Sequence, residues 1–326
     1  MRVLVTGGCG FVGSAVVRLA VERGDNVLNI DRRRKSNPTP ALGPIGNREG
    51  YARLEADVTD RALMRAVVRE FAPDAVIHLA APESDDPAAI VDGEIGGAFS
   101  MLEASRSWFE SAPAAVRGRF RMVHLEQAES DMPERLERAQ AVKGAASSLI
   151  ERWARATAMP AVTCVAGAAF GPWQPRTSLL SRMLASLMHD QTFAIPDAGE
   201  TVSDWLPVRD LAKAILAAAT APDADGRIDI SVGAERRDID IAESICGLLD
   251  ERLPRASGAP WFSLVKTEGS PRSALSSPML DSGEAERLLG WRPHGFHVGL
   301  DRLLSWTIAS YEASRARASA MAVAAE

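Results

Sequence analysis

The stretch MRVLVTGGCGFVGS, residues 1–14, decides the fold. Arg2 to Thr6 is a short run dominated by Val and Leu, the composition of a strand buried in a parallel sheet. Gly7, Gly10 and Gly13 follow in the spacing G-x-x-G-x-x-G. Phe11, Val12, Ala15, Val16, Leu19 and Ala20 then recur at helical spacing. Strand, glycine turn and helix in that order make a cradle for a pyrophosphate. Glycine lacks the Cβ that would hold the phosphates off the backbone. The helix start offers free N–H groups and the positive end of its dipole. A glycine pattern alone is weak, and here it has the required context on both sides.

A second apolar strand, residues 26–30, ends at Asp31, 18 residues beyond Gly13. A carboxylate there accepts hydrogen bonds from an adenosine ribose and repels a 2′-phosphate, so NAD is expected ahead of NADP. Arg32, Arg33 and Arg34 follow and keep NADP open as the lesser alternative.

The remaining composition narrows the class. At 326 residues, 46% hydrophobic and 25% charged, the chain suits two domains or one large α/β unit. A net charge of −6 advertises no basic face for nucleic acid. No apolar run approaches the roughly 18 residues of a membrane span, and the first residues enter a strand directly, so a cytoplasmic protein is expected. Cys9, Cys164 and Cys246 are odd in number and unpatterned, which fits a reducing compartment. The histidines show no ligand spacing, and no metal site is expected.

Strands are expected at 51–54, 74–78, 119–125 and 161–165. They alternate with a helix capped by Thr59 and with long helices over 88–111 and 134–158. Such alternation implies a Rossmann-type, doubly wound parallel sheet. The second half reads as helices over 179–189, 210–219, 239–253, 282–289 and 298–313. A strand falls at 228–232 and a candidate strand at 261–265, and an alanine-rich tail over 314–326 frays. Loops are expected at 33–49 and 267–278. The boundaries that follow are a dinucleotide-binding domain over 1–166 and a smaller mixed α/β substrate domain over 167–326, interleaved with the first.

With these residues in place, the chain resembles the extended short-chain dehydrogenases/reductases, nearest the nucleotide-sugar epimerases and 4,6-dehydratases. The resemblance rests on TGGCGFVGS, Asp31, Ala56-Asp57-Val58 and VIHLAA (76–81). It continues through Phe170-Gly171-Pro172, Asp204-Trp205-Leu206-Pro207-Val208-Arg209-Asp210 and Leu289-Gly290-Trp291-Arg292-Pro293. It implies that Gly7, Gly10, Phe11, Val12 and Gly13 hold the pyrophosphate. Asp31 and Arg32 would meet the ribose, Asp57 and Val58 would flank the adenine, and Leu79, Ala80 and Ala81 would line the groove toward the nicotinamide. It also implies a small-molecule substrate of the sugar-nucleotide kind and a homodimer built on the two long helices, with Leu102, Trp108 and Phe109 as a partner-facing stripe.

The family's catalytic signature, Y-x-x-x-K on a helix, is only half present. Lys143 fits the lysine, a ribose ligand, with Leu149, Ile150 and Trp153 following at the spacing of a buried face. Ala139 stands where the tyrosine belongs. A methyl group carries no proton, and general acid–base catalysis contributes about 10²- to 10⁴-fold. Where the family has a serine or threonine motif after the fifth strand, this chain has Glu126-Gln127-Ala128-Glu129. Gln127 is then a hydrogen-bonding stand-in, and Glu129 or Glu126 a substitute acid or base. Ser203 and Ser270 occupy the places of two diphosphate-binding arginines, leaving Arg176, Arg209 and Arg272 as candidates. Glu83, Ser84 and Trp173 are candidates to face the substrate. His78 and His124 read as satisfied core residues, and Cys9 as a space-filler. Two functions follow. One is an NAD-dependent epimerase or dehydratase with altered catalytic groups. The other is a cofactor-binding, redox-inactive homologue that serves as a partner or regulatory subunit or runs non-redox chemistry.

Overall fold

The computed structural model describes residues 1–32, 40–82, 84, 86–127, 134–270 and 280–324. Its first half alternates strand and helix: β1 (Arg2–Thr6), α1 (Phe11–Glu22), β2 (Asn26–Asp31), β3 (Tyr51–Glu55), α2 (Arg61–Phe71), β4 (Ala75–His78) and α3 (Pro87–Ser111). A short α4 (Ala114–Arg117), β5 (Arg121–Gln127), α5 (Glu134–Thr157) and β6 (Ala161–Ala166) complete it. The second half holds β7 (Ala168–Phe170), α6 (Leu179–Met188), β8 (Phe193–Ile195), β9 (Val202–Pro207), α7 (Val208–Ala218) and β10 (Gly226–Ile230). It closes with β11 (Glu235–Arg237), α8 (Asp238–Arg252), β12 (Val265–Thr267), α9 (Gly283–Leu289) and α10 (Phe296–Ala324).

Seven strands form one parallel sheet in the order β10-β6-β5-β4-β1-β2-β3. Alternate residues of each central strand feed two cores. Val3, Val5, Ile77 and Val123 pack under α1 and α7. Leu4, Val76 and Met122 pack under α2, α3 and α5. Each such aliphatic side chain contributes about 1.5–3 kcal/mol on burial, which is why the strands are apolar on both faces. This is the expected Rossmann-type α/β fold. The edge strand β10 comes from residue 226 onward, so the sheet draws on both halves of the chain. A smaller unit, with a three-stranded sheet β11-β9-β7 and a pair β12-β8, surrounds a third core of α6, α8 and α10 built on Phe170, Leu180, Ile245 and Leu300.

Several local expectations are corrected. Asp60, not Thr59, caps α2, because its side chain accepts from the Leu63 N–H. Residues 33–49 are not all loop: Pro40–Ile45 forms a 3₁₀ turn that buries Leu42 and Ile45 against α1. Residues 261–264 are a 3₁₀ turn, and the strand begins only at Val265. The alanine-rich tail continues α10 to Ala324, since alanine is the strongest helix former. The stripe expected to face a partner packs within the chain. Leu102 is fully buried, the Trp108 indole donates to the Pro73 carbonyl at 3.0 Å, and Phe109 meets Phe120 at 5.9 Å. Trp153 is exposed, its Nε1 donating to Glu103 at 2.8 Å, so of the expected buried face only Ile150 is fully buried.

Candidate functional site

The site forms where β1, β2 and β4 end together, the position at which parallel sheets gather ligands. Gly7 leaves β1 at φ +73°, and a Cβ there would lie 2.6 Å from the Leu79 carbonyl and the Ala80 nitrogen. Only glycine lets the two strand exits pass so closely. The Gly10 N–H donates to the Gly7 carbonyl at 3.0 Å, and Gly13 packs against that same carbonyl. Gly10 caps α1 with no side-chain hydrogen bond, so the first helical N–H groups stay available to an anion. Val12 is buried in the core and Phe11 is half-buried; with Gly13 they hold the turn and do not line the cavity beside it.

Asp31 closes β2. Its Oδ2 accepts the Cys9 N–H at 2.7 Å, which ties the strand end to the glycine turn. Arg32 pairs with Asp57 at 3.6 Å. Burial would raise the Asp57 carboxyl, but the Thr59 N–H and hydroxyl, at 2.9 and 2.8 Å, and then Arg32 outweigh it and hold it below the usual carboxylate range. Arg32 and Asp57 thus face one another on the cavity lining.

On the other side, the Leu79 and Ala80 N–H groups donate to the Thr6 carbonyl and Oγ1 at 3.1 and 3.3 Å, fixing the exit of β4. A cavity of about 200 Å³ results. It brings together Gly7, Gly10, Asp31 and Arg32 with Asp57, Val58 and the Leu79-Ala80-Ala81 run. Thr59, Pro82 and Gly93 also line it and went unseen in the sequence. Gly93 has a visible reason, since a Cβ there would press on the Pro82 ring at 2.8 Å. The fit to a dinucleotide follows from this chemistry: a bare glycine turn for phosphates and a carboxylate at the strand end for a ribose.

The other candidates are scattered. Lys143 is half-buried on α5, near enough for its charge to act on Glu94 and His124. Gln127 is half-buried at the end of β5, and Glu126 beside it pairs with Arg227 at 3.0 Å. Ser84 is exposed, its Oγ accepting the Asp86 N–H at 3.1 Å before α3. Arg209 is turned away: it pairs with Glu22 at 3.3 Å, at the end of α1 opposite the glycine turn. Trp173 packs on Trp306 at 5.1 Å, and Arg176 lines a separate groove of about 540 Å³ between α6 and α10. Neither lines the glycine cavity. Glu83, Glu129, Arg272 and the side chain of Ala139 lie outside the described residues.

Both tyrosines stand elsewhere. Tyr51 opens β3 and accepts from Asn29 at 3.2 Å, and burial raises its phenol. Tyr311 lies on α10 beside the outer groove. Of the two buried histidines, His78 meets Thr6 Oγ1 at 2.7 Å, and the His124 ring interacts with the His78 backbone without forming a hydrogen bond of good geometry among the described residues. The expectation of two satisfied core histidines holds fully for His78 and in part for His124.

The remaining motifs have structural work. The Asp204 carboxylate accepts the Val232 N–H at 3.1 Å and joins β9 to the turn before β11. Ser203 stands opposite Arg236 in the antiparallel β9–β11 register. Trp291 Nε1 donates to the Asp210 carbonyl at 2.9 Å, and the His294 N–H donates to the Asp210 carboxylate at 2.8 Å. The Gly-Trp-Arg-Pro stretch thus clamps the first turn of α7.

Comparison with known proteins agrees with this geometry. The model of the NAD dependent epimerase/dehydratase family matches residues 3–233. A dTDP-glucose 4,6-dehydratase of Neisseria gonorrhoeae is 30% identical over 328 residues, covering 94% of this chain and 95% of that protein. The dTDP-glucose 4,6-dehydratase of Salmonella typhimurium is 27% identical over 341 residues, with 95% and 93% covered. Among solved structures, a dTDP-glucose 4,6-dehydratase from Streptomyces venezuelae with NAD bound superposes with a TM-score of 0.76 at 23% identity, covering 94% of this chain and 96% of that one. A UDP-glucose 4-epimerase from Thermotoga maritima superposes equally, at 0.76, with 21% identity and 95% and 99% covered. Sheet order, glycine turn and strand-end carboxylate, together with a family match over most of the sequence, lead to one assignment: this chain belongs to the NAD dependent epimerase/dehydratase family.

Proposed function

We propose that this chain binds NAD in the glycine cavity and acts on a sugar nucleotide, as an epimerase or a 4,6-dehydratase with altered proton-handling groups. The observation that carries the reading is the convergence of the bare glycine turn, Asp31 and the Leu79-Ala80-Ala81 run on one cavity. When bound, NAD supplies a hydride acceptor that returns the hydride within the cycle. The chain's own residues do the rest: the α1 start holds the pyrophosphate, Asp31 holds the ribose hydroxyls, and Lys143 holds the second ribose.

The diphosphate of the sugar nucleotide falls to Arg236 in this reading. It stands opposite Ser203, so the two side chains share a face. Its guanidinium lies over the Phe296 ring at 4.6 Å, and its buried Nε has no partner among the described residues. Residues 167–326 supply the substrate side and residues 1–166 the cofactor side, apart from the shared sheet edge. The protein is cytoplasmic and dimerises through α3 and α5, where Trp153 and Val91 are exposed. No described helix is long and apolar enough to cross a membrane.

A second reading is a redox-inactive cofactor-binding subunit. It is favoured by Ala139, with both tyrosines accounted for away from α5. Calorimetry with NAD, followed by single-turnover absorbance of reduced cofactor with dTDP-glucose and UDP-glucose, separates the two. Reduction of NAD supports the enzyme, and tight NAD binding without reduction supports the subunit.

A further inference from the structure

Glu94 is a carboxylic acid in the interior, 5% exposed, on the face of α3 turned to the core. The sequence gives it no distinction, as it stands in a helix among small residues. Its neighbour Gly93 lines the cofactor cavity. Across from it α5 brings Lys143, and the packing of α3 on α5 is the most extensive between any two helices of the described chain.

A polar seam leads from the cavity to this place. Thr6, His78, His124 and Thr163 stand in register across β1, β4, β5 and β6, on the sheet face that α3 and α5 cover. The seam begins at the cavity wall, where the Ala80 N–H donates to Thr6 Oγ1. Thr6 Oγ1 meets His78 Nδ1 at 2.7 Å, and the His78 ring stacks on His124 at 5.6 Å. Beyond it the His124 ring, whose contact with the His78 backbone falls short of a well-formed hydrogen bond, and Thr163 Oγ1 are buried, and neither makes a hydrogen bond of good geometry among the described residues. Buried polar atoms without protein partners are the normal seats of internal water. Lys143, on the helix that packs on α3, lies within electrostatic reach of both His124 and Glu94.

We propose that Glu94 is the proton-holding group of this site, exchanging a proton with the substrate hydroxyl through water seated at His124 and Lys143. The inference rests on the proposed function and supplies what Ala139 cannot. As the substrate's C–H hydride passes to the nicotinamide, its O–H proton passes through the water to the Glu94 carboxylate, leaving a carbonyl. When the hydride returns, Glu94 gives the proton back. Burial raises the Glu94 carboxyl above the ordinary range and Lys143 draws it partly down, the direction expected of a carboxyl that holds a proton more readily than a solvated one. His78 and His124 do not compete, because burial above all holds their imidazoles down to about 3 and about 4. From α2, Arg61 faces Phe99, and the charge of Arg65 acts on Glu103, further along α3.

The test uses the NAD-loaded full chain and Glu94→Gln, which keeps the shape and removes the titration. With a sugar nucleotide that the wild type oxidises, Glu94→Gln is expected to slow single-turnover NAD reduction by about 10²-fold or more. Its NAD dissociation constant should stay within threefold and its Tm should be retained. The acid limb of the wild-type pH–rate profile should disappear, and Glu94→Asp should restore part of the rate. A Glu94→Gln variant that keeps its rate within threefold with the limb intact overturns the proposal. If the wild type reduces no NAD with any sugar nucleotide, the proposed function fails on its own account, and Glu94 is judged by infrared difference titration against Glu94→Gln. A carboxyl band titrating above the ordinary glutamate range, and moving higher in Lys143→Met, supports the proton-holding role. A band in the ordinary range, or one indifferent to Lys143→Met, overturns it.

Discussion

His78 and His124 stand opposite one another in the β4–β5 register, their rings stacked 5.6 Å apart at an interplanar angle of 25° and both buried. Two imidazoles so placed are stable only when neutral. Burial first, and for His78 the nearness of His124, put their folded values at about 3 and about 4, against about 6.5 in an unfolded chain.

Stability is therefore expected to fall as the pH drops from about 6.5 toward 4, because the unfolded state then binds protons that the folded state refuses. One such imidazole costs about 2 kcal/mol at pH 5. Urea unfolding at pH 7 and pH 5 measures the difference. His124→Leu, which removes a buried imidazole that has no hydrogen bond of good geometry among the described residues, should roughly halve it and leave stability at pH 7 nearly unchanged.

Gly7→Ala places a methyl against the Leu79 and Ala80 backbone at a positive φ. A loss of about 1–3 kcal/mol in stability is expected from strain of this kind. NAD binding should fall below detection by calorimetry even where the variant folds.

Asp31→Asn removes the charge but keeps the size. Hydrogen bonds to a charged group are worth about 1.5–3 kcal/mol, so the dissociation constant for NAD should rise about 10- to 100-fold. The constant for NADP should rise less or fall, since the repelling charge is gone. Paired titrations with both dinucleotides test this.

Asp210 is 1% exposed and accepts from the His294 backbone and ring at 2.8 and 3.0 Å. Asp210→Ala leaves those donors unmatched and should cost about 1–3 kcal/mol, read as a lower Tm. Trp291→Phe, which loses one hydrogen bond to the Asp210 carbonyl, should cost about 1 kcal/mol.

Trp153 is exposed on α5, with its indole held by Glu103 and its ring edge-on to Phe99 at 5.4 Å. If the chain dimerises through α3 and α5, Trp153→Glu should convert the dimer to a monomer on gel filtration with light scattering, and its Tm should fall, since the variant loses the Glu103 hydrogen bond and the Phe99 contact and sets a second carboxylate beside Glu103.

The β1–turn–α1 unit was legible in the sequence because its signals are local: an apolar run, three glycines and a helical period, all within the first 20 residues. The long helices were legible for the same reason. Strands β7, β8, β11 and β12 were not, since each is three residues long and exists only through a distant partner. The lining of the glycine cavity was largely readable, because strand-end residues fall at fixed distances from the glycine turn. The fates of Arg176 and Arg209 were not: an arginine's reach lets the nearest acid or groove decide its direction, and Glu22 lies 187 residues from Arg209. Glu94 was invisible because a buried carboxyl and a solvated one look alike in a helical pattern.

The placement of β10 bears on how this protein can be cut and joined. A fragment ending at residue 166 would leave β6 with one whole row of backbone groups unpaired and apolar on both faces, a template for aggregation. Residues 1–166 are therefore not a portable module. Grafting them onto another protein would have to carry residues 208–230 along, so that α7 and the closing strand travel with the sheet they complete.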